Sequence, residues 1–172
     1  MNSPSRVISF VNAAHFIDHY AMLIFAAAVI IMGPALGMAY SELLPYATPG
    51  FVAFGAGSLI TGWLGDRWGA RIILTLALLW WSVFTAWTAM APASPLAGWL
   101  GIMGALALAR FLLGVGEAVA LPNFNRVVTD WLPAGGRGLG IGIAIGGIGV
   151  GAAITPPVTA WIMVNFGWQT AF

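Results

Sequence analysis

The chain contains no cysteine and no lysine, and only 6% of its residues carry a charge. Without cysteine there is neither a disulfide framework nor a thiolate metal site. Every basic charge is an arginine, and a net charge of +1 offers no electrostatic footprint for nucleic acid. Soluble domains carry about 25% charged residues, so the scarcity here excludes an ordinary water-facing surface. P-loop, Gly-x-Ser-x-Gly and His-Glu-x-x-His patterns are missing as well, which argues against an enzyme and leaves no cofactor implied.

What the chain does have is apolar length. Of 172 residues, 60% are hydrophobic, with 23 glycines and nine tryptophans. Apolar runs long enough to cross the hydrocarbon core fall at 7–32, 42–62, 71–91, 97–122 and 138–163. Gly33-Pro34, Ala91 to Pro95 and Leu132 to Gly136 punctuate them. The fold class is therefore an all-α membrane protein with about five transmembrane helices and the bilayer as its surroundings. A cleavable signal peptide does not fit the first 32 residues, because His15, Asp18 and His19 interrupt the apolar core and the run continues too far.

Orientation follows from arginine. Arg6 precedes the first span, Arg67 and Arg71 separate the second from the third, and Arg126 and Arg137 separate the fourth from the fifth. The positive-inside rule then makes this a multi-pass protein of the cell membrane with a cytoplasmic N-terminus. Trp63, Trp68, Trp99, Trp131 and Trp168 fall near span ends, as interfacial anchors do.

Two polar clusters sit inside spans. Arg110 and Glu117 share a helix face two turns apart in an apolar segment, with Gly114 between them forming a concave strip for a substrate or the first helix. A charge at the centre of a spanning helix costs about 2.5–3.5 kcal/mol on insertion scales, so each needs a partner, a wet cavity or a substrate. The first span places His15, Asp18 and His19 at i, i+3 and i+4, with Met22 continuing the face. Histidine and a buried carboxyl can both carry a proton for coupling. A helix-to-helix hydrogen-bond cluster is the plain alternative. The same three side chains could ligate a transition ion, but no cysteine or third histidine completes the set, and no metal is assigned.

The segment between spans two and three, read as a short loop, runs Gly62-Trp63-Leu64-Gly65-Asp66-Arg67-Trp68-Gly69-Ala70-Arg71. Glycine, a second glycine three residues on, then acid, base, aromatic, glycine and a further base resemble the signature loop of the major facilitator superfamily. The pattern departs at Ala70 and Ile72, where that family often has basic residues. Arg110-Phe-Leu-Leu-Gly-Val-Gly-Glu117-Ala, then Pro122, Asn125-Arg126, Trp131-Leu132-Pro133, Arg137-Gly138 and Pro156-Pro157, are similar to helices four and five of the anion:cation symporter branch. Gly167 to Phe172 resembles the opening of its sixth helix.

The resemblance implies that residues 1–172 are the N-terminal six-helix half of a twelve-helix transporter, ending near the start of helix six and expecting a C-terminal half. It implies proton-coupled uptake of a small organic anion, with Arg110 and His19 binding a carboxylate and Asp18, His15 and Glu117 handling the proton. Asp18 matches the acid of the Asp-Arg pair often found on that branch's first helix, while His19 stands where the arginine would be. Gly62, Gly65, Asp66, Arg67, Gly69 and Arg71 would form the gating loop. An exporter of drugs or metabolites and a non-transporting sensor or scaffold are the alternatives. Against export, the fifth span lacks the antiporters' Gly-Pro pair; its Gly138, Gly142, Gly146 series instead permits close packing.

Overall fold

The computed structural model describes residues 3–172, and every long element in it is a helix. In lipid each backbone N–H and C=O must be satisfied inside its own segment, which a helix alone achieves for a single span. Helix α1 is Pro4–Leu36. Ser3 caps its start by accepting from the Arg6 N–H, and Gly37, at φ 67°, closes it in the left-handed conformation. A short α2 (Tyr40–Leu43) and a 3₁₀ turn lead into α3 (Thr48–Trp68), followed by α4 (Ala70–Met90). Then come α5 (Pro95–Glu117), α6 (Ala120–Trp131) and α7 (Ala134–Phe166). A 3₁₀ turn at Trp168–Ala171 stands where the sixth helix was expected to open.

These elements make five segments long and apolar enough to cross a membrane: Pro4–Leu36, Tyr40–Trp68, Ala70–Ala93, Pro95–Trp131 and Ala134–Phe166. The fourth continues past residue 122 because α5 and α6 run on through a break at Ala118 and Val119. Proline explains that break. Pro122 has no N–H to give the carbonyl four residues back, so the Ala118 oxygen is released and accepts the Thr61 hydroxyl at 2.7 Å. Asn123 reinforces the joint by donating to the carbonyls of Val119 (2.9 Å) and Thr61 (3.2 Å).

Helix α1 packs chiefly on α7, while α5 lies between α3 and α4. Glycine sets the α3–α5 crossing. A Cβ at Gly114 would overlap the backbone of Gly50, and one at Gly50 would come within 2.8 Å of the Arg110 carbonyl oxygen. Small residues let two backbones approach this closely, which is how helices associate where water cannot drive them together. Gly114 is thus packed against α3, which corrects its expected role as an open strip for a substrate or the first helix. The Gly138, Gly142, Gly146 series meets no neighbour among the described residues. The α7 glycines that face other elements are Gly140, against Val128 and Leu132, and Gly151, against Phe16.

One core gathers Phe25, Val29, Met32, Leu106 and Met163, and a second gathers Ile8, Phe124 and Val128. Outside, Leu59, Trp99, Leu139 and Val164 are exposed by more than two thirds, the surface a lipid-facing helix carries. Trp168 is buried in the first core and does not serve as the interfacial anchor expected of it, whereas Trp63, Trp68, Trp99 and Trp131 are exposed.

Candidate functional site

The polar face of α1 turns inward. His15, Asp18 and His19 are all buried, Asp18 completely. The His15 ring stacks on Phe124 of α6 with centroids 5.2 Å apart and meets His19 edge-on at 4.6 Å. Both His15 nitrogens and both Asp18 oxygens lack a hydrogen-bond partner among the described residues. One ligand atom from each of His15, Asp18 and His19 lies within 4.8 Å of the others.

Across from this face, α5 contributes Arg110 and Glu117, each 1% exposed. Arg110 reaches α1: its Nη2 donates to the Met22 carbonyl oxygen at 2.9 Å, and its guanidinium sits 5.2 Å from the centre of the Phe25 ring. Nε and Nη1 have no acceptor, nor does Glu117 Oε1 have a donor. The ion pairs among the described residues are Arg126 with Asp66 and with Asp130. Arg110 is therefore not bonded to Glu117 or Asp18, so neither is the partner that the sequence requires for its charge. Seven residues along a helix is about 10.5 Å, beyond direct contact for two side chains that leave the axis in parallel. The guanidinium and the carboxyls of Asp18 and Glu117 are nonetheless all buried within the bundle.

The arginine-rich end of the bundle differs from a loop. Gly62 to Trp68 belong to α3 and Arg71 to α4, so the connection is the single residue Gly69. Its φ of 85° is a conformation only glycine adopts cheaply, and it lets two long helices meet with nothing between them. Gly65 allows the Asn123 carboxamide to sit where a Cβ would be, and Gly62 brings α3 against Pro122. Asp66 pairs with Arg126 of α6, and Arg126 also reaches Asp130 at 3.5 Å. Arg67 lies over the Trp63 ring at 5.6 Å instead. Arg137 caps the end of α6 through the carbonyls of Thr129 and Leu132, at 3.0 and 3.2 Å.

Sequence spacing brought together His15, Asp18 and His19 correctly, since one helix carries all three. It missed Arg126 and Asp130 as partners of Asp66, and Thr61 and Asn123 as the clasp around the α5–α6 break. The one available signal was Pro122, which predicts an orphan carbonyl four residues earlier. A cavity of about 630 Å³ opens beside the cluster, lined by Arg6, Phe10, His15, Arg71, Phe124 and Asp130 among others.

Comparison with known proteins adds the remaining facts. The family model described as Major Facilitator Superfamily matches residues 9–172. A probable sulfoacetate transporter of Cupriavidus necator is 30% identical over 158 residues, covering 92% of this chain and 35% of the relative. A probable galactarate/D-glucarate transporter of Bacillus subtilis is 33% identical over 132 residues, covering 71% of the chain and 27% of the relative. The hexuronate transporter of Escherichia coli K12 is 33% identical over 113 residues, covering 66% and 24%. The chain spans roughly a third or less of the length of these relatives.

Proposed function

The chain belongs to the major facilitator superfamily, a family of membrane transporters, and from that premise we propose that it serves proton-coupled uptake of a small organic anion bearing a carboxylate. The observation that carries the reading is the buried, unpaired charge set: Arg110 has free donors and Asp18 and Glu117 have free acceptors at the centre of the bundle. A structural polar cluster would satisfy its own groups, because unpaired ones out of water are costly. Relatives named for sulfoacetate, galactarate and hexuronate, all acids, support a carboxylate or similar anion. Arg110, with His19 beside it, holds the anion; Asp18, His15 and Glu117 take up and pass the proton. Transport is proposed for the whole protein, in which a second helical half faces this one across a midplane site. The arginine distribution supports a cell-membrane location with a cytoplasmic N-terminus.

The deciding experiment is uptake of labelled sugar acids and sulfoacetate by the full-length protein in vesicles, with and without an inward proton gradient. Accumulation only with the gradient supports the reading. Gradient-driven efflux would establish the exporter, and no flux of any anion would leave a sensor or scaffold.

The Asp66–Arg126 pair fits a gate, since it joins α3 to α6 at the end that must separate when the cytoplasmic side opens. Both groups are partly exposed, so the pair is worth about 0.5–1 kcal/mol. Asp66→Ala is then expected to raise labelling of cysteines introduced into the cavity by about two- to fivefold, the shift that energy supports. Labelling at the parent rate would reduce Asp66 to a topological role. The chain's lack of native cysteine keeps that readout clean.

A further inference from the structure

We propose that His15, Asp18 and His19 form a binding site for a divalent first-row transition ion of the zinc type. Residues i and i+4 of a helix stand one above the other, which is the arrangement that lets His15 and His19 share an ion. Asp18, at i+3 from His15, adds a carboxylate on the same side. The three ligand atoms lie within 4.8 Å of one another. Ligands held about 2.0–2.1 Å from a tetrahedral ion sit roughly 3.3 Å apart, so binding requires the three side chains to draw together by rotation on their one helix, with the His15 ring turning against Phe124.

Three observations favour an ion over a plain polar cluster. First, the donors are uncommitted: His15 offers both nitrogens and Asp18 both oxygens, all buried and without a protein partner. Second, the buried acids outnumber the buried base, Asp18 and Glu117 against Arg110, so an ion that displaces a proton from Asp18 does not face an excess of positive side chains. Third, His15 lines the 630 Å³ cavity, which supplies an entry path. Imidazole with carboxylate and no thiolate selects zinc, cobalt or nickel over calcium and magnesium, which take all-oxygen shells. The lack of a fourth protein ligand, which weighed against a metal in the sequence, is no obstacle: zinc sites with three protein ligands keep an open position for water or a substrate group. This site goes beyond the proposed anion transport, and because a metal-bound carboxylate or imidazole must be deprotonated, an ion held here and a proton carried by Asp18 exclude each other.

The test uses the full-length protein in detergent and the metal alone. Titration with Co²⁺ should give a saturable visible absorption at one equivalent, displaced by Zn²⁺. His19→Gln and Asp18→Asn should each weaken binding by at least about tenfold, a loss that even changes to outer-shell groups produce. Ser82→Ala, on the exposed face of α4 and outside the ligand set, should bind as the parent does. Near-ultraviolet circular dichroism of the tryptophans checks each fold. A second measurement needs no variant: Zn²⁺ should protect His15 and His19, mapped by peptide, from carbethoxylation. The proposal is overturned by absence of saturable binding in the parent, by ligand variants that bind as tightly as the parent, or by unchanged histidine modification with Zn²⁺ present. Any of these leaves anion transport untouched, and a metal site in a protein that moves no anion would leave this site standing.

Discussion

Asp18→Asn is expected to abolish proton-driven accumulation by the full-length protein while exchange of labelled for unlabelled substrate across the membrane continues. Asparagine keeps the size and shape of the side chain but cannot gain or lose a proton. Asp18 is completely buried midway along α1, with neither oxygen bonded to protein, so its charge state is not locked by a structural partner. Glu117 is a second buried carboxyl, with one oxygen likewise lacking a donor. Removing the titrating member disconnects substrate movement from the gradient without removing the anion's binding arginine. Exchange, which needs no net proton movement, is the control that the protein still folds and binds. Unimpaired accumulation by Asp18→Asn would take this residue out of the mechanism.

Arg110→Lys is expected to lower the affinity for the proposed anionic substrate by about tenfold or more, about 1.4 kcal/mol, with the protein still folded. Arg110 spends one Nη2 hydrogen on the Met22 carbonyl and rests against Phe25, which fixes the guanidinium plane. Nε and Nη1 remain free, and the second Nη2 hydrogen completes a fork with the one of them that it faces. A carboxylate gripped in two places matches that fork, and a lysine ammonium, a point charge, does not. The positive charge itself is kept, so the long-range balance with Glu117 survives. Affinity measured against pH in the parent, Arg110→Lys and Glu117→Gln separates the roles. One shared affinity and one shared pH dependence across all three would make both residues structural and sink the coupling scheme.

The predicted spans and the built ones agree because both rest on local quantities. Apolar length sets where a segment can cross, and Ala91 to Pro95 stops a helix by its own backbone chemistry, whereas Gly33-Pro34, read as a break, lies inside α1, which runs on to Leu36 and closes at Gly37. The clustering of His15, Asp18 and His19 was equally legible, because a helix repeats every 3.6 residues whatever surrounds it. The glycine pattern from Gly62 to Gly69 was visible too, but its reading as a loop was not sound: only Gly69 leaves the helical region, and Gly65 is there to admit Asn123 from α6.

Sequence alone thus determined that the chain crosses the bilayer in five helical segments and that its charges fall on particular faces of two of them. Tertiary structure decided which charges meet. Asp66 chose Arg126 over the adjacent Arg67, Arg110 reached the Met22 carbonyl and not Glu117, and Gly114 closed on Gly50. Those outcomes depend on how far each helix slides and rotates against its neighbour. That register is set by backbone approach at a few small residues and by carbonyls that prolines release, neither of which a single segment reveals by itself.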